Sequence, residues 1–324
     1  MAPTDAVLTG WFADHRSLLW GLSYRITGSA ADADDVVQET FVRAHQHAPP
    51  HLDEPRRWLM RVAVNAARDV LRRRKRRGYI GPWLPTPIET NDDAPASFEP
   101  TVEGMTLEGR YDLMESVSLA FLQALEALSP TQRAVLILRD VFDYSAAEVA
   151  AVLHISEGNA RIIHHRARRA MGDYERRRSI PTATNRARTG QALNKFLALL
   201  GEGDVQGIEQ MLAKDVEAVT DGGGEFTAAP KPIVGIRRVA QFFARLAASR
   251  TDRMGIALRS INGFPALVLE FESTPEADAR RRARRRPPRL VVTINVNEAG
   301  LISGVRVFAS STKLERVGPV VKPT

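Results

Sequence analysis

Residues 144–172, YSAAEVAAVLHISEGNARIIHHRARRAMG, admit few folds. They read as two helices joined by a sharp turn. Ser145 precedes Glu148 by three residues, the spacing of a capping box, and Ser156 is placed to cap the second helix. In that second helix Ala160, Ile163, Ala167 and Ala170 or Met171 face inward. Arg161, His165 and Arg168 face away from them, with Arg166 and Arg169 nearby and Asn159 in the first turn. A helix-turn-helix places such a basic second helix in the major groove of DNA.

The bulk charge agrees with a polyanionic partner. The chain has 324 residues and a formal net charge of +7, and the cationic residues are clustered. It has no cysteine. That excludes disulfides, Cys-based zinc sites and thiol catalysis, and suits a reducing cytosol. The N-terminus lacks the basic-then-apolar pattern of a signal peptide, and no apolar run is long enough to span a bilayer. A cytoplasmic protein without membrane contact is the expectation.

The length suggests two or three domains. Residues 9–78 read as helical, and so do 112–178. Between them, 79–111 is rich in proline and polar residues, the composition of a linker. Residues 179–190 read as a second short linker. The remainder, 190–318, reads as α+β: two helices, then β-branched runs near 215–220, 256–260, 266–272, 290–296 and 304–309, with one more helix at 235–248.

Two N-terminal helices carry the next signals. In residues 32–45, Ala33, Val37, Phe41 and Ala44 share one face, while Asp35, Gln38, Glu39 and Val42 share another. In residues 56–77, Leu59, Val62, Ala66 and Val70 form the expected buried stripe. Arg61, Asn65, Arg68 or Asp69, Arg72 and Arg76 make the other side, and Arg72 to Arg77 are all basic. Helix-end cations are favoured by the dipole, but six in a row exceed what a helix end needs. A phosphate backbone would relieve their mutual repulsion.

YRITGSAADADDVVQETFVRAH and PRRWLMRVAVNAARDVLRRRKR together resemble region 2 of the extracytoplasmic-function (ECF) sigma factors of bacterial RNA polymerase. The helix-turn-helix resembles their region 4, and the absence of an intervening region 3 fits the same group. The resemblance implies a polymerase-docking role for Asp35, Gln38 and Glu39 on the β′ clamp helices. It implies −10 element recognition by Asn65, Arg68, Asp69, Arg72 and Arg73. It further implies −35 recognition by Asn159, Arg161, His165, Arg166, Arg168 and Arg169, with region 4 near the β flap. The loop 45–55 resembles one that captures a flipped base, at the cost of a few kcal/mol of stacking.

The resemblance extends to the C-terminal half. Trp83-Leu84-Pro85-Thr86-Pro87 resembles the WLPEP motif of a subgroup with a fused SnoaL-like domain. Asp221-Gly222-Gly223-Gly224-Glu225 resembles its DGGGK motif, with Glu in place of Lys. Ser311-Thr312-Lys313-Leu314 partly matches NPDKL. The implied fold is multidomain: two all-α sigma domains, a region 2 bundle and a region 4 helix-turn-helix, then an α+β cone of the NTF2-like type. The physical argument converges, because Trp and Leu exposed in a polar linker would be costly. Trp83, Leu84 and Pro85 are therefore expected to pack near Asp221 to Gly224, with Lys313 and Leu314, as a regulatory contact.

The expected partners are core RNA polymerase and promoter DNA, with a small ligand in the C-terminal pocket left open. No catalytic residue, metal or cofactor is assigned. An NTF2-like hydrolase or isomerase fused to a DNA-binding segment is the competing reading; its acid–base candidates are Asp215, Asp221, Glu225, Glu270 and Glu272. A one-component regulator working without polymerase is a third. The run RRRARRRPPR at 280–289 has no counterpart in the resemblance and is expected in a hairpin loop.

Overall fold

The computed structural model describes residues 4–49, 52–79, 81–90, 115–178, 180–249 and 254–320. The expected linker residues 91–111 and the start of the second helical region lie outside these. The chain forms two compact units. One contains residues 1–78 and 94–178. The other contains 79–93 and 179–324.

The first unit is all-α. Helices α1 (Asp5–Thr27), α2 (Ala30–His47) and α3 (Pro55–Arg77) pack on one another. Gly28 ends α1 in the left-handed region, and its N–H bonds the Tyr24 carbonyl. The Ser29 side chain then caps α2. This tight corner turns the chain back so that Ala33, Val36, Val37 and Ala44 are buried. The buried stripe of α3 is Leu59, Met60, Ala63, Val64, Ala67 and Leu71, together with Ala66. Val62 and Val70, expected in that stripe, are only half-buried.

After α4 (Leu119–Ala124) and a single 3-10 turn come α5 (Pro130–Asp140), α6 (Ala146–Leu153), α7 (Glu157–Ala170) and α8 (Gly172–Arg177). Both Ser129–Gln132 and Ser145–Glu148 form complete capping boxes. Ser156 caps α7. Ala160, Ala167 and Met171 are buried, whereas Ala170 is exposed, which settles the choice between Ala170 and Met171.

The second unit is α+β, as expected for an NTF2-like domain. Helix α9 (Ala183–Glu202) starts well inside the expected second linker, because Thr182 caps it. It is followed by α10 (Val205–Met211), β1 (Leu212–Asp221), β2 (Ile233–Val234), α11 (Ile236–Ala248), β3 (Met254–Ile261), β4 (Phe264–Phe271), α12 (Pro275–Ala283), β5 (Arg289–Val296) and β6 (Ile302–Phe308). The sheet order is β2-β1-β6-β5-β4-β3, antiparallel except for β1 with β6. One sheet face packs on the helices: Val216, Leu267, Leu290, Val292, Ile294, Val305 and Val307 join Phe196 and Phe243 in one core.

The opposite face carries Val219, Ala266, Val268, Val291 and Phe308, and these too are buried. Residues 81–90 and the segment after β6 supply apolar cover for the unit: Leu84, Ile88, Leu314, Val317 and Val320 are all buried. They are also laced to each other and to the sheet. Glu89 accepts from Gly318 N–H, and Glu270 accepts from Val320 N–H. Thr90 N–H bonds the Ser260 carbonyl on β3, and Asn262 N–H bonds that of Ile88. The first part of the expected linker is thus an extended strap of the C-terminal unit. No helix among the described residues is long and apolar enough to cross a membrane.

Candidate polymerase and promoter interfaces

On α2 the side chains Asp35, Gln38 and Glu39 are all exposed, opposite a buried stripe. Glu39 pairs with Arg43 at 2.8 Å. A shallow groove between α2 and α3 is lined by Asp35, Glu39, Arg43, Asp69 and Arg73. Asp69, expected among the −10 contacts, therefore shares a groove with the acidic residues of α2. It also pairs with Arg72 at 2.8 Å.

The other flank of α3 is occupied within the unit. Arg68 donates to Asn65 and to Thr131 of α5, each at 3.0 Å. Burial, and then the neighbouring Arg72, lowers the pKa of Arg68. Asn65 reaches the Arg61 carbonyl at 3.0 Å and the Val152 carbonyl of α6 at 3.5 Å. Arg57 pairs with Glu148 of α6 at 2.8 Å, and Arg74 with Glu126 at 3.4 Å. A cleft of about 700 Å³ remains between the start of α3 and α6, lined by Arg57, Trp58, Arg61, Glu148 and Val152. Two expected base-readers thus face the second helical region rather than solvent.

A buried polar node ties the two helical regions further. Arg25 of α1 is fully buried and donates to Ser116 at 2.7 Å and to the Gly21 carbonyl at 3.2 Å. Arg133 of α5 donates to the Ile26 carbonyl at 3.0 Å and pairs with Glu126 at 2.8 Å. Sequence periodicity missed these links, because a buried arginine carries no pattern signal of its own.

On α7, Asn159, Arg161, His165, Arg166, Arg168 and Arg169 are all exposed. Arg161 pairs with Glu157 one turn earlier. Arg168 and His164 converge on Asp140 of α5, at 3.1 and 2.6 Å. Asp140 thereby anchors one of the expected readers, leaving Arg161, His165, Arg166 and Arg169 as the outermost groups.

In the second unit Asp221 is the hub of the strap. It is 1% exposed. Its carboxylate accepts from Tyr79 Oη at 2.6 Å, Leu84 N–H at 2.8 Å, Gly223 N–H at 2.9 Å and Lys313 Nζ at 2.6 Å. Lys313 also donates to the Leu84 carbonyl, and its ammonium lies 4.5 Å from the Trp83 ring centre and 4.9 Å from that of Tyr79. Leu84 and Pro85 are buried and Trp83 half-buried. Tyr79 was not anticipated; it lies outside the quoted motif. The glycines are sterically required. A Cβ on Gly222 would lie 2.3 Å from the Phe226 carbonyl oxygen, and one on Gly223 (φ +64°) 2.5 Å from Ser310 Oγ.

The run at 280–289 does not sit in a plain hairpin loop. Its first part completes α12, whose acidic start and basic end suit the dipole. Arg285 then donates to the Gly224 and Glu225 carbonyls. Glu225, the departure from the motif, accepts from Ser311 N–H at 3.1 Å and Ser311 Oγ at 2.8 Å.

A helical bundle joined to a helix-turn-helix, each with a basic helix, defines a promoter-reading protein of the sigma type. The Sigma-70 region 2 family matches residues 11–77, and the Sigma-70, region 4 family matches residues 118–171. The chain is 30% identical over 233 residues to ECF RNA polymerase sigma factor SigJ of Mycobacterium tuberculosis, covering 71% of this chain and 70% of that protein. It is 38% identical over 176 residues to SigG of the same organism, covering 48% and 45%. The crystal structure of the M. tuberculosis sigma factor SigJ shares the fold, with a TM-score of 0.69 at 24% identity over 97% of this chain and all (100%) of that one. The chain belongs to the ECF RNA polymerase sigma factors, which bind core polymerase and promoter DNA.

Proposed function

We propose that this structure is the closed, resting form of the sigma factor. In it the −10-reading flank of α3 is held against region 4. The observation that carries the reading is that Asn65, Arg68, Arg57 and Arg74 are engaged by Val152, Thr131, Glu148 and Glu126. Initiation needs that flank on DNA, so the two helical regions part first. Asp35, Gln38 and Glu39 dock on the β′ clamp helices, and region 4 sits near the β flap. Asn65, Arg68, Asp69, Arg72 and Arg73 read and melt the −10 element; Asn159, Arg161, His165, Arg166, Arg168 and Arg169 serve the −35 element.

The C-terminal unit regulates this opening. It grips the chain directly after α3 through Tyr79 to Thr90, and a short connection follows α8. It is thus joined to the chain after each helical region, and release of the strap lengthens the connection between the two regions. Polymerase or a small ligand would favour the open state only by binding it more tightly than the closed one. The reading needs no catalysis by this unit. Asp221, Glu225 and Glu270, three of the expected acid–base candidates, are occupied by hydrogen-bond donors.

The chain contains no cysteine, which permits a direct test. Cysteines placed at Arg57 and Glu148, joined by a short bismaleimide, should lock the closed form and abolish run-off transcription. The same variant left unlinked should transcribe. Equal transcription by the linked protein would show that α3 reads DNA without parting from α6.

A further inference from the structure

Helix α11 is strongly amphipathic and contains no carboxylate; Arg237, Arg238 and Arg245 on it are exposed. Its last turn meets a second basic element. Arg286 donates to the Ser249 carbonyl at 2.8 Å, and Ser249 N–H bonds the Arg245 carbonyl. The loop after α12 therefore abuts the end of α11. Arg282, at the end of α12, and Arg284, in the loop that follows, are exposed as well. Three other arginines of this run have internal partners. Arg281 pairs with Asp278, Arg285 holds the glycine turn, and Arg289 donates to the Gly318 carbonyl.

The nearby carboxylates are mostly committed. Asp278 accepts from Arg281 and Ser273, and Glu225 from Ser311. Glu276 lies at the opposite, N-terminal end of α12. Among the described residues no ion pair involves Arg237, Arg238, Arg245 or Arg284. Asp278 offsets Arg282 in part; the remaining like charges repel one another, and a polyanion releases that repulsion together with its own counterions.

We propose that this face of the C-terminal unit binds the phosphate backbone of duplex DNA without reading sequence. The choice of duplex follows from the tether. Helix α8 ends at Arg177 and α9 begins at Ala183, leaving five connecting residues. Fully extended, these reach at most about 18 Å. Whenever α7 lies in the major groove at the −35 element, this unit is leashed to the duplex beside it. The proposal rests on the family assignment, which stands whatever the experiment returns.

The test uses full-length protein, core polymerase and promoter DNA extended upstream of the −35 element. A photoreactive residue at Gln241, on α11 between Arg238 and Arg245, should crosslink to upstream duplex. A variant carrying Arg238→Glu, Arg245→Glu, Arg282→Glu and Arg284→Glu should lose the crosslink while keeping its thermal midpoint and holoenzyme assembly. Losing four phosphate contacts should flatten the salt slope by about 3.6, so wild type loses roughly 150-fold more affinity than the variant between 50 and 200 mM salt. The milder glutamine versions should fall between the two, which guards against misfolding of the reversed variant. An unchanged slope together with no crosslink would overturn the proposal. So would tenfold better competition by single-stranded RNA than by duplex of equal length.

Discussion

Leu84→Ala isolates the strap's side-chain anchoring from its hydrogen bonds. The Leu84 side chain is 0% exposed, while its N–H and carbonyl bond Asp221 and Lys313 through backbone atoms that alanine retains. The substitution therefore removes packing only. A buried Leu→Ala change costs about 2–5 kcal/mol, depending on how far the site collapses. At about 3 kcal/mol, release of the strap becomes roughly a hundredfold more frequent, since 1.4 kcal/mol is tenfold. Hydrogen exchange reads this directly. The amides of Leu84, Ile88 and Thr90 bond Asp221, Asn262 and Ser260, and their protection should fall by about that factor. Amides of β5, paired on both sides within the sheet, report whether the whole unit opens instead. Run-off transcription should exceed wild type. Strap protection falling less than tenfold, or falling in step with β5, would refute the idea of a separately releasable clamp. Trp83→Ala should act in the same direction but more weakly, because Trp83 is only half-buried and its contact with Lys313 is worth about 0.5–2 kcal/mol.

Alanine at Asp35, Gln38 and Glu39 together should abolish holoenzyme assembly, measured by copurification with core polymerase, and leave thermal unfolding nearly unchanged because all three are exposed. Arg161→Ala should relax preference within the −35 element at a cost of about 1–3 kcal/mol if the guanidinium reads a base; equal weakening on all sequences would reveal a phosphate contact. Neutralising two residues of Arg72 to Arg76 should flatten the salt dependence of promoter binding. The Ser145 backbone and side-chain hydrogen bonds, with burial opposing them, hold Glu148 below the usual carboxylate range. This contribution is complete at neutral pH and disappears as the pH falls through that depressed value, so α6 amides should lose protection before those of α5 only once the pH drops below the usual carboxylate range.

The elements were legible where period and caps coincide. Ser145 and Ser156 cap the helices that the sequence placed after them. The β-branched runs fell on β1 and β3 to β6. Two kinds of feature were not legible. Residues 81–90 have linker composition, yet Leu84 and Ile88 find cover on a sheet whose second face needs it; local composition does not report what a distant sheet leaves unpaired. The contacts of Arg68, Asn65 and Arg57 were equally hidden. Helical spacing tells which way a side chain leaves its own helix, not which other helix meets it. The mis-set stripe on α3 has a related cause: alanines score low as core residues, yet Ala63 and Ala67 are fully buried.

The Glu at position 225 shows how a motif residue can change while its turn survives. The three glycines fix the backbone, and Gly223 and Gly224 adopt positive φ of 64° and 74°. What the fifth residue must do is tie this turn to its surroundings. Here the tie is split between two groups. Glu225 holds Ser311, just before the 3-10 turn that carries Lys313, and Arg285 supplies a cation from the loop after α12 to the Gly224 and Glu225 carbonyls. The arginine run and the altered motif are on this view one adaptation. Glu225→Lys alone should then weaken the unit by breaking the Ser311 contacts and placing a second cation near Arg285. With Arg285→Glu added, the opposite charges are restored and the thermal midpoint should recover in part. A double variant no more stable than the sum of the two single losses would show that the two residues act independently.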